Sequence, residues 1–147
     1  MSSESKNAGP DLRDRSIFRA WTRVSVRYND LDPLGHVNNA ALGIFLEAAR
    51  CQLITPLIKA HGRHFDMVLA ATTMQYLKEM HYPGDVEVGM ICSRLGTKSF
   101  NLAHGVFQDG HCTGTAELTL VFFDLDRRVT VEPKPDVRSY LESLRIT

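Results

Sequence analysis

Apolar and polar positions change rhythm along this chain, and each change marks an element. Over 18–27, Phe18, Ala20, Thr22, Val24 and Val26 alternate imperfectly with polar residues, which predicts a half-buried strand. An irregular stretch follows over 28–38. Over 39–54, Leu42, Phe45, Leu46, Ala49, Leu53 and Ile54 fall at helical spacing, while Ala40, Ala41, Ile44 and Ala48 make most of the remaining surface apolar. A helix apolar nearly all round is buried, as when a sheet wraps around it. Pro56 cannot continue that helix without losing a hydrogen bond, so Thr55-Pro56 is expected to cap and open a short second helix ending near Gly62.

The remaining rhythm is that of strands. Segments 68–80, 86–95, 98–108 and 111–124 are expected to be extended, with a short strand around Val129 and Val131 and a terminal helix over 135–144. Asp109-Gly110 accepts the positive φ of a tight hairpin turn and should join the third and fourth of these segments. In the fourth, Cys112, Gly114, Ala116, Leu118, Leu120 and Phe122 should face one way, with His111, Thr113, Thr115, Glu117 and Thr119 facing the other. One strand, one buried helix and then several antiparallel strands is an α+β order, a helix packed on an antiparallel sheet.

Length allows one domain. Residues 1–15 are polar, of mixed charge and without an apolar run, so they are expected to be a disordered tail, with 16–147 as the single domain. Lys plus Arg and Asp plus Glu number 17 each, leaving no global field to recruit nucleic acid. No apolar run reaches the roughly 18–20 residues that cross a bilayer. Cys51, Cys92 and Cys112 share no metal or redox spacing and are expected to be reduced, buried thiols of a cytoplasmic protein.

The chemistry concentrates at 30–39, Asp-Leu-Asp-Pro-Leu-Gly-His-Val-Asn-Asn. Asp32 enters a tight turn held by Pro33 and Gly35, and seven residues later a helix begins with unpaired backbone N–H groups. A carboxylate beside an anion-stabilising helix start suits thioester hydrolysis, because negative charge builds on the carbonyl oxygen under attack. The plainer alternative is that Asp32 caps a turn and Asn38 caps the helix.

This stretch, followed by Phe45-Leu46-Glu47-Ala48-Ala49-Arg50, resembles the hotdog-fold acyl-CoA thioesterases of the 4-hydroxybenzoyl-CoA thioesterase-like branch. Softer similarity lies at Tyr82-Pro83-Gly84-Asp85, at Gly96-Thr97-Lys98-Ser99-Phe100 and over 133–135. The resemblance implies a curved antiparallel sheet wrapped around a long central helix. It also implies a homodimer or homotetramer, and an acyl-CoA substrate handled without metal or other cofactor, coenzyme A being part of the substrate. It implies that Asp32 is the key carboxylate, as nucleophile or general base, and that the backbone N–H of Asn39 polarises the carbonyl. Gly35, His36, Val37 and Asn38 would line the substrate site.

Several assignments stay open on sequence. Asn39, Gly43, Glu47 and Arg50 form one polar stripe, facing solvent, a partner subunit or substrate. Glu47 rivals Asp32, because a second branch of hotdog thioesterases uses a helix carboxylate. It lies about 12 Å along the helix from Asn39, within reach of the other chain's helix start only in a two-fold dimer. Asp30 falls outside the motif and should be structural; His36 could serve as a base, though its place in the motif favours shaping the loop. Lys98, Ser99, Arg127 and Arg128 are candidates for coenzyme A phosphates and pantetheine. His61 and His64 have helical metal spacing but no third ligand nearby. An acyl-carrier-protein thioesterase and a non-catalytic acyl-thioester binding module are the rival functions.

Overall fold

The computed structural model describes residues 9–61 and 65–146. Among these residues, the α-helices and strands run in the order β1 (Ala20–Ser25), α1 (Asn39–Leu53), α2 (Thr55–Lys59), β2 (Phe65–Tyr76), β3 (Asp85–Leu95), β4 (Ser99–Gln108), β5 (His111–Asp124), β6 (Val129–Thr130) and α3 (Pro135–Ser143). The five long strands form one antiparallel sheet in the order β1-β3-β4-β5-β2, with β6 paired to the end of β5. Alternation places Val86, Val88, Met90, Phe100, Leu102, Val106, Ala116, Leu118, Leu120 and Phe122 on one face. Against that face lie Ala41, Leu42, Phe45, Leu46 and Ala49 of α1, all with at most 1% exposure. A curved antiparallel sheet around one buried helix is the hotdog arrangement, so the apolar girth of α1 has the expected cause.

The other face carries a smaller core of Phe18, Ile91, Ala103 and Phe107. Leu12, Ile17 and Trp21 pack on it, and the Arg15 guanidinium sits 4.1 Å from the Trp21 ring while pairing with Glu87 at 2.9 Å. Contacts with the sheet therefore begin before residue 16, built from isolated apolar residues too widely spaced to show a period. Residues 1–8 lie outside the described part of the chain.

The clean alternation expected in β5 breaks at one residue. Val106 pairs with Gly114 but Phe107 pairs with Cys112, so Thr113 is an extra, bulged residue. The bulge turns Cys112 onto the outer core, away from the face of Ala116 and Leu118. The Thr113 carbonyl accepts from the Leu77 and Lys78 N–H groups, at 3.0 and 3.1 Å, and the Thr113 hydroxyl donates to the Val106 carbonyl. The hairpin turn is as expected: Asp109 and Gly110 both have positive φ, 51° and 77°. Thr55 is the first residue of α2 rather than its cap; Ile54 holds that position and donates to the Arg50 carbonyl, so the chain bends without leaving helical geometry. Cys51 is exposed, contrary to expectation, since α1 turns that position outward; burial pushes the Cys92 and Cys112 thiols up.

Candidate functional site

The loop before α1 is built by its own polar groups. One Asp32 carboxylate oxygen accepts from the backbone N–H of Leu34 at 2.9 Å and of His36 at 3.1 Å. The Asp32 N–H donates to the His36 carbonyl, and Gly35 donates back to Asp32 while holding φ at 82°, where glycine is favoured. Asp32 thus does shape its turn, and among the described residues it does so with one oxygen only. The loop is clamped by the buried Asp30, which accepts from the Arg27 backbone and guanidinium. Burial opposes ionisation of Asp30, yet the Arg27 contacts outweigh it and hold the carboxyl below the usual range. Asp30 is therefore structural.

Asn38 caps α1, its side chain accepting from Ala41 N–H at 2.9 Å. Asn39 begins the helix, and its own N–H has no acceptor among the described residues. Asp32, His36, Val37, Asn38 and Asn39 line one hollow of about 320 Å³, closed by Tyr76–Met80 and Thr113. The Tyr76 hydroxyl donates to the Asn39 carbonyl at 3.0 Å, tying the end of β2 to the start of α1. His36 leans on Glu79 at 3.4 Å and meets His81 edge-on, a role in fixing the loop. Tyr76, Lys78 and Thr113 had no local sequence signal; the strand end and the β5 bulge bring them here.

The other candidates lie elsewhere. Glu47 is 65% exposed and lines a second, larger hollow between α1 and β2, where it pairs loosely with Arg50 at 3.8 Å. Lys98, Ser99 and Arg128 gather at the opposite end of β5. The Lys98 carbonyl accepts from Phe122, Ser99 accepts from Arg94, and Arg128 lies over the Phe123 ring. Thr113 and Phe122 are separated by about 30 Å of strand at roughly 3.3 Å per residue, so one chain does not bring these cations to Asp32. Gly35 is exposed on the loop and lines neither hollow. His61 bonds Asp136 at 2.7 Å across α2 and α3, and its expected companion His64 lies outside the described residues. Among the described residues no three metal-binding side chains converge, and no helix is long and apolar enough to cross a membrane.

A family model for the thioesterase-like superfamily matches residues 26–141, from the end of the first strand into the last helix. The chain belongs to this superfamily. It is a thioester hydrolase. Its fold is close to that of a thioesterase from Thermus thermophilus complexed with coenzyme A and Zn, at 29% identity over 84% of this chain and 98% of that one, TM-score 0.73. A Pseudomonas aeruginosa protein, PA5185, shares the fold at 21% identity, covering 90% and 96% of the two chains, TM-score 0.85. So does the DHNA-CoA thioesterase of Staphylococcus aureus, at 18% identity, 84% and 88% coverage and TM-score 0.76. No curated protein matches the chain.

Proposed function

We propose that this thioester hydrolase acts on an acyl- or aryl-CoA, releasing the free acid and coenzyme A, with Asp32 as the reacting carboxylate. One observation carries the reading: Asp32, with one carboxylate oxygen that makes no hydrogen bond among the described residues, and Asn39, whose backbone N–H has no acceptor among them, line the same hollow. A thioester carbonyl seated there would accept from the Asn39 N–H, which stabilises the oxyanion as it forms. Asp32 then acts in one of two ways. Its oxygen attacks the carbonyl carbon, the thiolate leaves, and water cleaves the mixed anhydride to restore the carboxylate. Alternatively it takes a proton from water, the hydroxide adds, and the thiolate departs with that proton. Coenzyme A bound to the Thermus thermophilus enzyme supports a CoA ester as substrate. Lys78, at the rim of the hollow, is the cation placed to meet its phosphates. No other cofactor enters this scheme.

A homodimer or dimer of dimers completes the proposal. The outer edge of β2 pairs with no strand among the described residues, and Val68, Leu69, Tyr76 and Leu77 along it are exposed, with Ile44 of α1. Pairing two such edges across a two-fold axis would cover this liability.

Asp32→Asn keeps the size of the side chain and removes its charge and basicity. With folding and assembly intact, kcat on an acyl-CoA should fall by about 10²-fold or more while KM changes little. Glu47→Gln should cost much less. The reverse ranking would transfer the role to Glu47, and near-normal turnover in both would remove the carboxylate mechanism.

A further inference from the structure

The second hollow, about 580 Å³, runs between α1 and β2 beside the first. Ala40 follows Asn39 on its helix wall, and Met74 lies two residues before Tyr76 on its strand wall. Its lining is apolar (Ile44, Leu46, Met67, Leu118 and their neighbours) except at Thr72, Glu47 and Arg50. Arg50 is the anomaly. It is only 8% exposed, its guanidinium makes no hydrogen bond among the described residues, and its ion pair there is the loose 3.8 Å contact with an exposed Glu47. Buried arginines are ordinarily matched by several acceptors, because five donors and a charge removed from water are costly without them. The described residues offer this one no hydrogen-bond acceptor, and its nitrogens are left with a small contact to solvent. His104, also buried and close enough for the Arg50 charge to act on it, keeps an Nε2 atom with no hydrogen-bond partner among the described residues. A largely buried cation at the wall of an apolar hollow, held only by a loose pair with an exposed carboxylate, is suited to an incoming anionic group.

We infer that Arg50 is a specificity-determining residue that receives a carboxylate at the far end of the substrate's acyl chain, the second hollow holding the chain itself. This rests on the proposed site at Asp32 and Asn39. Arg50 stands eleven residues beyond Asn39, about 16 Å along the axis. Helical side chains lean back toward the N-terminus, which brings the guanidinium nearer by several ångströms. The gap fits an extended chain of medium length and is too long for an acetyl or benzoyl group.

The test compares kcat/KM for octanoyl-CoA and its ω-carboxy derivative in the full-length wild type, Arg50→Lys and Arg50→Met. The wild type should favour the carboxylated ester by roughly tenfold to a hundredfold, the range of hydrogen bonds to a charged group. Arg50→Met should abolish or invert the ratio of the two kcat/KM values, and Arg50→Lys should retain part of it. A wild type that prefers plain octanoyl-CoA overturns the inference. So does an Arg50→Met enzyme in which both esters fall equally, or one that turns monomeric with its preference unchanged, which would give Arg50 to a subunit contact. If Asp32→Asn leaves turnover of both esters intact, the site reading fails instead; that result is separate from the ratio measured here.

Discussion

His104 should govern how this protein tolerates acid. It sits on β4 with no exposed surface, facing α1, and its Nδ1 bonds the Gly89 carbonyl at 3.1 Å. Burial, with a smaller push from the Arg50 charge and against the pull of that hydrogen bond, lowers its pKa from 6.5 to about 4. The imidazole is therefore neutral in the folded state. Between pH 6.5 and about 4 the unfolded chain binds a proton that the folded chain refuses, so stability falls as pH falls. At about 1.4 kcal/mol per pH unit the full loss is roughly 3 kcal/mol, a large share of an ordinary domain's stability. Stability from this source is complete above pH 6.5 and exhausted near pH 4. Below that, Asp30 and Asp136 take over, since both are held below the usual carboxylate range and cost stability as they protonate. His104→Asn keeps a donor near Gly89 but cannot titrate. It should lose about 1–3 kcal/mol at pH 7 through the cavity it leaves, and its acid limb between pH 6.5 and 4 should flatten by about 3 kcal/mol. Urea unfolding at half-unit pH steps on both proteins measures the difference. Parallel limbs for the two proteins would refute a buried, neutral His104.

Three further outcomes follow from the packing. Gly105→Ala should destabilise by about 1–3 kcal/mol, since a β-carbon there would lie 2.6 Å from the Leu12 carbonyl and 2.7 Å from both Phe18 and Phe107; an unchanged Tm would mean that the outer core is looser than described. Deleting residues 1–17 should lower Tm by several degrees, because Arg15 and Ile17 cover Trp21 and the outer core; if Tm is unaffected, this segment is dispensable after all. Light scattering at micromolar concentration should give a dimer or larger, and a fully active monomer would end the proposed pairing of β2 edges.

What was legible in the sequence was local. The apolar run of α1 starts at Asn39 as its spacing predicts, and β5 spans the 14 residues its alternation marks. Both patterns report the chain's own geometry against a single neighbouring surface. Asp32 and Asn39 could be read together for the same reason: only the six residues 33–38 separate them. The misread features depend on cross-strand register, which one strand's rhythm does not carry. The Thr113 bulge exists only relative to Val106 and Phe107, and it alone sends Cys112 to the outer face. Tyr76 reaches Asn39 across 37 residues, although nothing near position 76 distinguishes that tyrosine from an ordinary strand aromatic. Lys98 and Arg128 have the residue types that phosphates favour, yet strand length sets them at the opposite end of the sheet from Asp32 within one chain. Arg50 shows the same limit from the other side. At i,i+3 from Glu47 it looks like half of an ordinary surface pair, and only its burial reveals that Glu47 does not satisfy it. The motif shows which groups lie close along the chain, while the size and polarity of the hollows beside them are set by which distant walls the sheet brings there.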